Sequence, residues 1–115
     1  MLLAPSCPDL NLDSLAGLSI GKRDALLLSL RELTFGQGLL GLAGCPECSE
    51  KLELDFRLDD LRSRSGSESG REIPFSLAGY NLRIRPVNTF DLLSIVHMKD
   101  VSQARDELLN RCILM

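Results

Sequence analysis

Residues Cys45-Pro46-Glu47-Cys48, and the alternation that follows them, constrain this chain more than any other stretch. Two cysteines separated by two residues make a tight knuckle. Directly after it, Leu52, Leu54, Phe56 and Leu58 alternate with Lys51, Glu53, Asp55 and Arg57. A period of two is that of a half-buried β-strand, whose side chains point in turn to opposite faces. Upstream, Leu39, Leu40, Leu42 and Ala43 supply a first strand, so Gly38 to Leu58 reads as a hairpin with the knuckle at its turn. A C-x-x-C at the mouth of a hairpin is half of a zinc-ribbon site.

The flanking segments must cover or extend this hairpin. Asp9 to Leu18 is a short segment in which Asp9 or Asp13 can cap a turn or two of helix ending at Gly17. A longer helix is expected from about Gly21 to Thr34, with Ser19 as N-cap and Gly36 just past its end. Its apolar arc, centred on Leu26, Leu30 and Leu33, is wide enough to pack on two neighbours, leaving Lys22, Arg23, Arg31 and Glu32 toward solvent. Asp59 to Arg62 reads as a strand exit or a single turn. Ser63 to Gly70, SRSGSESG, has the composition of a flexible surface loop.

A second hairpin follows. Ile73, Phe75 and Leu77 alternate, Ala78-Gly79 turns, and Tyr80, Leu82 and Ile84 alternate on the return. Pro74 confines its strand to a sheet edge or a non-bonding position, and Pro86 ends the second strand. Thr89 can cap a short helix, and Asp100 a last one running through Leu114. In that last helix Val101, Ala104, Leu108 and Cys112 share a face, widened by Leu109 and Ile113. The fold class expected is α+β: two antiparallel hairpins packed by about three helices, in a single domain over residues 1–115. The apolar run Ile113-Leu114-Met115 implies a packed end or sequence continuing downstream.

A net charge of −3 argues against a general attraction to nucleic acid or anionic membrane. The N-terminus lacks a basic region followed by an apolar run, and no stretch approaches the length of a membrane span. The four cysteines (Cys7, Cys45, Cys48 and Cys112) are therefore expected in a reducing cytoplasm, where C-x-x-C is a metal or redox motif. With 44% hydrophobic residues and no Trp, the core has to be aliphatic.

Zinc at Cys45 and Cys48 needs further ligands, because a structural site takes four. Cys7, Cys112 and His97 are candidates, none at ribbon spacing, so completion from outside these residues is expected. Redox catalysis at Cys45/Cys48 is disfavoured: a strand follows Cys48, so no helix N-terminus lowers a thiol pKa, and Glu47 and Glu50 oppose thiolate formation. His97, the only histidine, reads as an ordinary surface or core-edge residue, and Cys7 and Cys112 as buried thiols. Arg83 and Arg85 fall on the polar face of their strand, with Arg62, Arg64 and Arg71 near in sequence. Such a stripe can contact phosphates, although a solvated face is the simpler reading. No phosphate loop, catalytic carboxylate pair or nucleophile elbow occurs, so an enzyme acting on a small-molecule substrate is not expected.

Three pieces in this order, LSIGKRDALLLSLRELTFG, GLAGCPECSEKLELDF and VNTFDLLSIVHMKDVSQARDELLNRCIL, carry a resemblance. The chain resembles the baseplate hub assembly chaperones of T-even-type phages and related contractile injection systems, from about Cys7-Pro8 onward. The resemblance implies a non-enzymatic structural or assembly protein that binds other baseplate or tail proteins, in the cytoplasm of the producing cell or within a virion-like particle. It leaves a homo-oligomer open. Relatives tend to carry sequence before the Cys7-Pro8 equivalent and to continue into a second C-x-x-C. The chain then corresponds to the N-terminal part of a longer member or to a shortened one. The alternative, from the residues themselves, is a small zinc-ribbon module contacting nucleic acid or a transcription partner.

Overall fold

The computed structural model describes residues 3, 5, 9, 11–62 and 71–114. The fold is α+β, as expected, with five helices and two antiparallel sheets. The Ser63–Gly70 loop and Cys7 lie outside the described residues. No helix among those described is long and apolar enough to cross a membrane.

Helix α1 (Leu12–Gly17) is capped by Asn11, whose side chain accepts from the N–H of Ser14 at 2.7 Å; the expected caps Asp9 and Asp13 do not serve. Asn11 has the β-region backbone that an N-cap needs, whereas Asp13 is already inside the first turn. Helix α2 (Ile20–Phe35) starts at Ser19, whose Oγ accepts from Lys22 N–H, and ends at Gly36. Gly36 has φ of 82°, a conformation glycine adopts without a Cβ penalty. The N-terminus of α2 is tied across the fold, since Ile20 N–H donates to Val87 O at 2.9 Å.

The organising hairpin is β1 (Gly38–Gly44) with β2 (Lys51–Arg57), paired antiparallel from Gly38↔Arg57 to Gly44↔Lys51. Leu58 is not part of the strand. It opens α3 (Leu58–Leu61) and is fully buried, while the strand residues Leu52 and Leu54 are exposed. The alternation was therefore legible, but β2 is not half-buried within this chain: apart from half-buried Phe56, its apolar face meets solvent. At the hairpin base, Leu58 N–H donates to Gln37 O at 2.9 Å. Glu32 of α2 accepts from both Gln37 and Arg62.

The second sheet has the order β3-β4-β5. Strands β3 (Ile73–Leu77) and β4 (Tyr80–Ile84) meet at Ala78-Gly79, both with positive φ, the two-residue turn that suits a twisted hairpin. Pro74 lies on the edge strand, where its missing N–H is tolerated. Helix α4 (Thr89–Ile95) is capped by Asn88 instead of Thr89. Asn88 and Asp91 exchange side chain–backbone bonds, a reciprocal box that Thr89 cannot form. Helix α5 (Val101–Cys112) is capped by Asp100, as expected. It stops at Cys112, because Ile113 and Leu114 turn extended and pair with Ile84 and Arg83 as β5 (Ile113–Leu114). A third strand, not a continued helix, uses this apolar run.

Buried apolar side chains are few among the described residues: Leu3, Leu15, Ala16, Leu58 and Cys112. Helix α2 contributes none, and Leu33 on its expected inner arc is 87% exposed. The wide apolar arc, expected to pack on two neighbours, is not buried by the described residues. The radius of gyration is 17.9 Å, against roughly 13 Å for a compact domain of about 100 residues. Hairpin and α2 extend from a small core.

Among the described residues, Leu58 is the one apolar side chain with no exposure. Leu58→Ala is expected to destabilise the fold by about 3 kcal/mol through lost burial and the cavity left behind. A lower midpoint of urea unfolding with an unchanged slope checks this.

Candidate functional site

The knuckle closes β1 onto β2 through two backbone bonds. Cys45 N–H donates to Glu50 O at 2.9 Å, and Ser49 N–H donates to Cys45 O at 2.9 Å. The turn is completed by Ser49, which takes the left-handed region with φ of 62°. Cys45 is half-buried, Cys48 is exposed, and both are free thiols. The backbone N–H groups of Cys48 and then Glu47 point to Cys45 Sγ and hold its pKa below the ordinary thiol value. This direction is opposite to the one expected from the neighbouring glutamates. The amides contact the sulfur directly, whereas carboxylates in an exposed turn act across water. Strand β2 follows the motif, as expected, so no helix N-terminus faces the thiols.

The other candidate ligands are not brought to the knuckle. His97 is exposed in the turn after α4, and Cys112 is buried at the end of α5. No group of three or more His, Cys, Asp or Glu able to hold a metal occurs among the described residues. Cys45 and Cys48 therefore offer two soft donors, half of a tetrahedral set.

Of the arginine stripe, Arg64 lies outside the described residues, and Arg62, Arg83 and Arg85 each turn to a carboxylate. Arg83 is exposed and pairs with Glu72 at 2.9 Å, and Arg62 pairs with Glu32. Arg85 lies beyond the end of β4 and turns inward to Asp91. Bound to carboxylates, these guanidinium groups are not poised for phosphate.

The most constrained polar cluster is one the sequence reading missed. Asp91 has no exposed surface. Arg85 grips it with both terminal nitrogens, Nη1 to Oδ2 at 2.6 Å and Nη2 to Oδ1 at 2.8 Å. Arg111 Nε of α5 donates to Oδ1 at 2.9 Å, and Asn88 N–H to Oδ2 at 3.0 Å. The Cys112 thiol lies 4.0 Å from Oδ2. Bonds from Arg85 foremost, then Asn88 and Arg111, hold the Asp91 carboxyl well below the usual carboxylate range against the opposing effect of burial. Burial and the Asp91 charge push the Cys112 thiol up. A carboxylate kept charged by such partners is a structural pin, not a proton carrier. The signal in sequence was the Asn88-x-x-Asp91 spacing of a capping box.

Beside this pin, Val87, Ile95, Ala104, Leu108, Leu109 and Cys112 line an open apolar groove of about 440 Å³ between α4 and α5.

Fold and site together describe a small α+β scaffold: a pinned core, a projecting ribbon and, among the described residues, no cluster able to hold a metal. A profile of the family described as T4 bacteriophage base plate protein matches residues 3–114, nearly the full length, and the chain belongs to that family. Comparison with curated proteins and with solved structures gave no match.

Asp91→Asn removes the charge that both arginines share. It is expected to cost about 3 kcal/mol, the low end for a broken buried pair because Arg85 and Arg111 are partly hydrated. The pH dependence has a definite sign. A depressed folded-state pKa contributes stability fully above the unfolded value of about 3.9 and loses it as pH falls below that. Urea melts from pH 7 to pH 2 should therefore show the gap between wild type and Asp91→Asn narrowing below about pH 4.

Proposed function

We propose that this chain is a non-enzymatic assembly factor, chaperone-like in action, for the hub of a contractile baseplate, and that it works by binding other baseplate proteins. Membership of the base plate family supports the setting. The observation that carries the binding role is the unmatched apolar surface. Leu33 and Phe35 on α2, Leu40 and Leu42 on β1, and Leu52 and Leu54 on β2 are all exposed. Apolar area of this extent on a small scaffold marks a protein-binding surface. A net charge of −3 and the engagement of Arg83, Arg85 and Arg62 with carboxylates weigh against the nucleic-acid reading. In this reading the protein acts in the cytoplasm of the producing cell, where tails are built.

The knuckle has its own place in the proposal. Cys45 and Cys48 hold zinc, with the remaining ligands supplied from outside the described residues. The lowered Cys45 pKa supports it, since the thiolate is the form that ligates metal. Zinc there would fix the turn of the ribbon.

Two measurements test these statements. Deleting the gene should abolish contractile tails, seen by electron microscopy of lysates, and expression in trans should restore them. Normal tails from the deletion would overturn the assembly role. For the metal, elemental analysis of protein purified under reducing conditions should find zinc that Cys45→Ser with Cys48→Ser removes. Less than ~0.2 zinc per wild-type chain, with stability unchanged in chelator, counts against it.

A further inference from the structure

The β1–β2 ribbon has two outer edges, and they differ in chemistry. Outward positions on β2 are Lys51, Glu53, Asp55 and Arg57, whereas β1 is Gly-Leu-Leu-Gly-Leu-Ala-Gly, with no charge and no proline. Long, uncharged edge strands recruit further strands, and proteins ordinarily blunt them with charge, proline or a bulge. Among the described residues no strand pairs with the outer edge of β1, and the Arg31 guanidinium meets it only at its first residue, donating to Gly38 O at 3.3 Å. Leu40 is 83% and Leu42 is 74% exposed.

Hydrogen-bond parity identifies the groups on that edge. Gln37 and Leu58, and Cys45 and Glu50, bond across the ribbon at its two ends, in the same register as the pairs between them. Leu39, Gly41 and Ala43 therefore turn their backbone groups to β2, and Leu40 and Leu42 turn theirs outward.

We propose that β1 pairs antiparallel with β1 of a second copy of this chain, centred on Gly41, to make a four-stranded sheet. The strand is self-complementary about that residue. Leu40 comes opposite Leu42 of the second copy, Leu39 opposite its Ala43, and Gly38 opposite its Gly44. The two Gly41 residues face each other at the close, non-hydrogen-bonded position, about 4.5 Å between Cα atoms, where absent side chains are an advantage. The outward N–H and C=O groups of Leu40 and Leu42 then bond in reciprocal pairs.

Charge selects this edge over the other. The same operation on β2, centred on Leu54, sets Lys51 against Arg57 and Glu53 against Asp55, like against like at every pair. Pairing β1 on β1 instead places the acidic knuckle, with Glu47 and Glu50, beside the base of the opposite ribbon, where Arg31 lies against Gly38. An isologous contact of this kind closes at two copies, whereas β1 on β2 leaves edges free to extend.

Sedimentation velocity with interference optics suits a chain with one Tyr and no Trp. The wild type is expected to show a concentration-dependent dimer. Leu40→Lys with Leu42→Lys opposes like charges at both symmetric pairs and should weaken the dimer about tenfold or more. Leu40→Lys with Leu42→Glu sets opposite charges at the same pairs and should return association to within about threefold of wild type. Circular dichroism should be the same for all three, because both leucines are exposed in the monomer. A wild-type monomer at about 100 µM overturns the proposal without recourse to any variant. A dimer indifferent to the two lysines, or one that both double variants weaken alike, overturns this register.

Discussion

A carboxylate with no exposed surface must be satisfied entirely by protein, and the donors around Asp91 join its own stretch of chain, Arg85 and Asn88, to Arg111, twenty residues on. Arg85 follows β4, Asn88 precedes α4, and Arg111 lies in the last turn of α5. The geometry fixes more than a charge. Arg85 N–H donates to Cys112 O at 2.9 Å, so the residue that grips Asp91 also stitches the end of α5 to the strand it came from. From there β5 adds itself to β4 at Ile84 and Arg83. Helix, sheet and chain end converge on one side chain. A buried ion pair does not by itself make a protein more stable than an apolar alternative, but a broken one is costly, so the arrangement enforces one geometry.

The ribbon obeys a different rule. Its hold on the body is local: Leu58 in the core, the Gln37–Leu58 backbone bond, and Glu32 between Gln37 and Arg62. Beyond that anchor and the Arg31–Gly38 bond, the strands have, among the described residues, little but each other and their exposed leucines. Two-stranded ribbons are marginal in water unless a third strand, a helix or a staple supports them. The knuckle amides that favour a Cys45 thiolate and the bare outer edge of β1 are two places where such support can attach. For a member of a base plate family, whose setting is a crowded assembly, a scaffold with a firm core and an unfinished ribbon is a consistent design.

Much of this was legible in the chain. The hairpin from Gly38 was plain from Cys45, Cys48 and the alternation after them. Ser19, Gly36 and Asp100 marked helix ends because capping is chemistry over three or four residues. The Ala78-Gly79 turn and the edge position of Pro74 followed from backbone geometry. What failed were assignments needing knowledge of neighbours. Arg85 reads as a strand's polar face until Asp91 is beside it. Thr89 reads as a cap as readily as Asn88 until Asp91 returns the bond. Ile113 and Leu114 read as helix because nothing local says that a strand edge waits for them.

The sequence by itself determined the elements: their type everywhere but at Ile113-Leu114, most of their ends, the α+β class and the pairing of each hairpin. These rest on periodicity and short-range hydrogen bonding, which neighbours in the chain decide. Only the tertiary structure decided which apolar faces are covered and which charges are consumed. Leu58 and Leu54 look equivalent in the alternation, yet one is fully buried and the other is not. Burial depends on what lies across space, and no pattern along β2 encodes that Leu58 meets the core while Leu52 and Leu54 meet water.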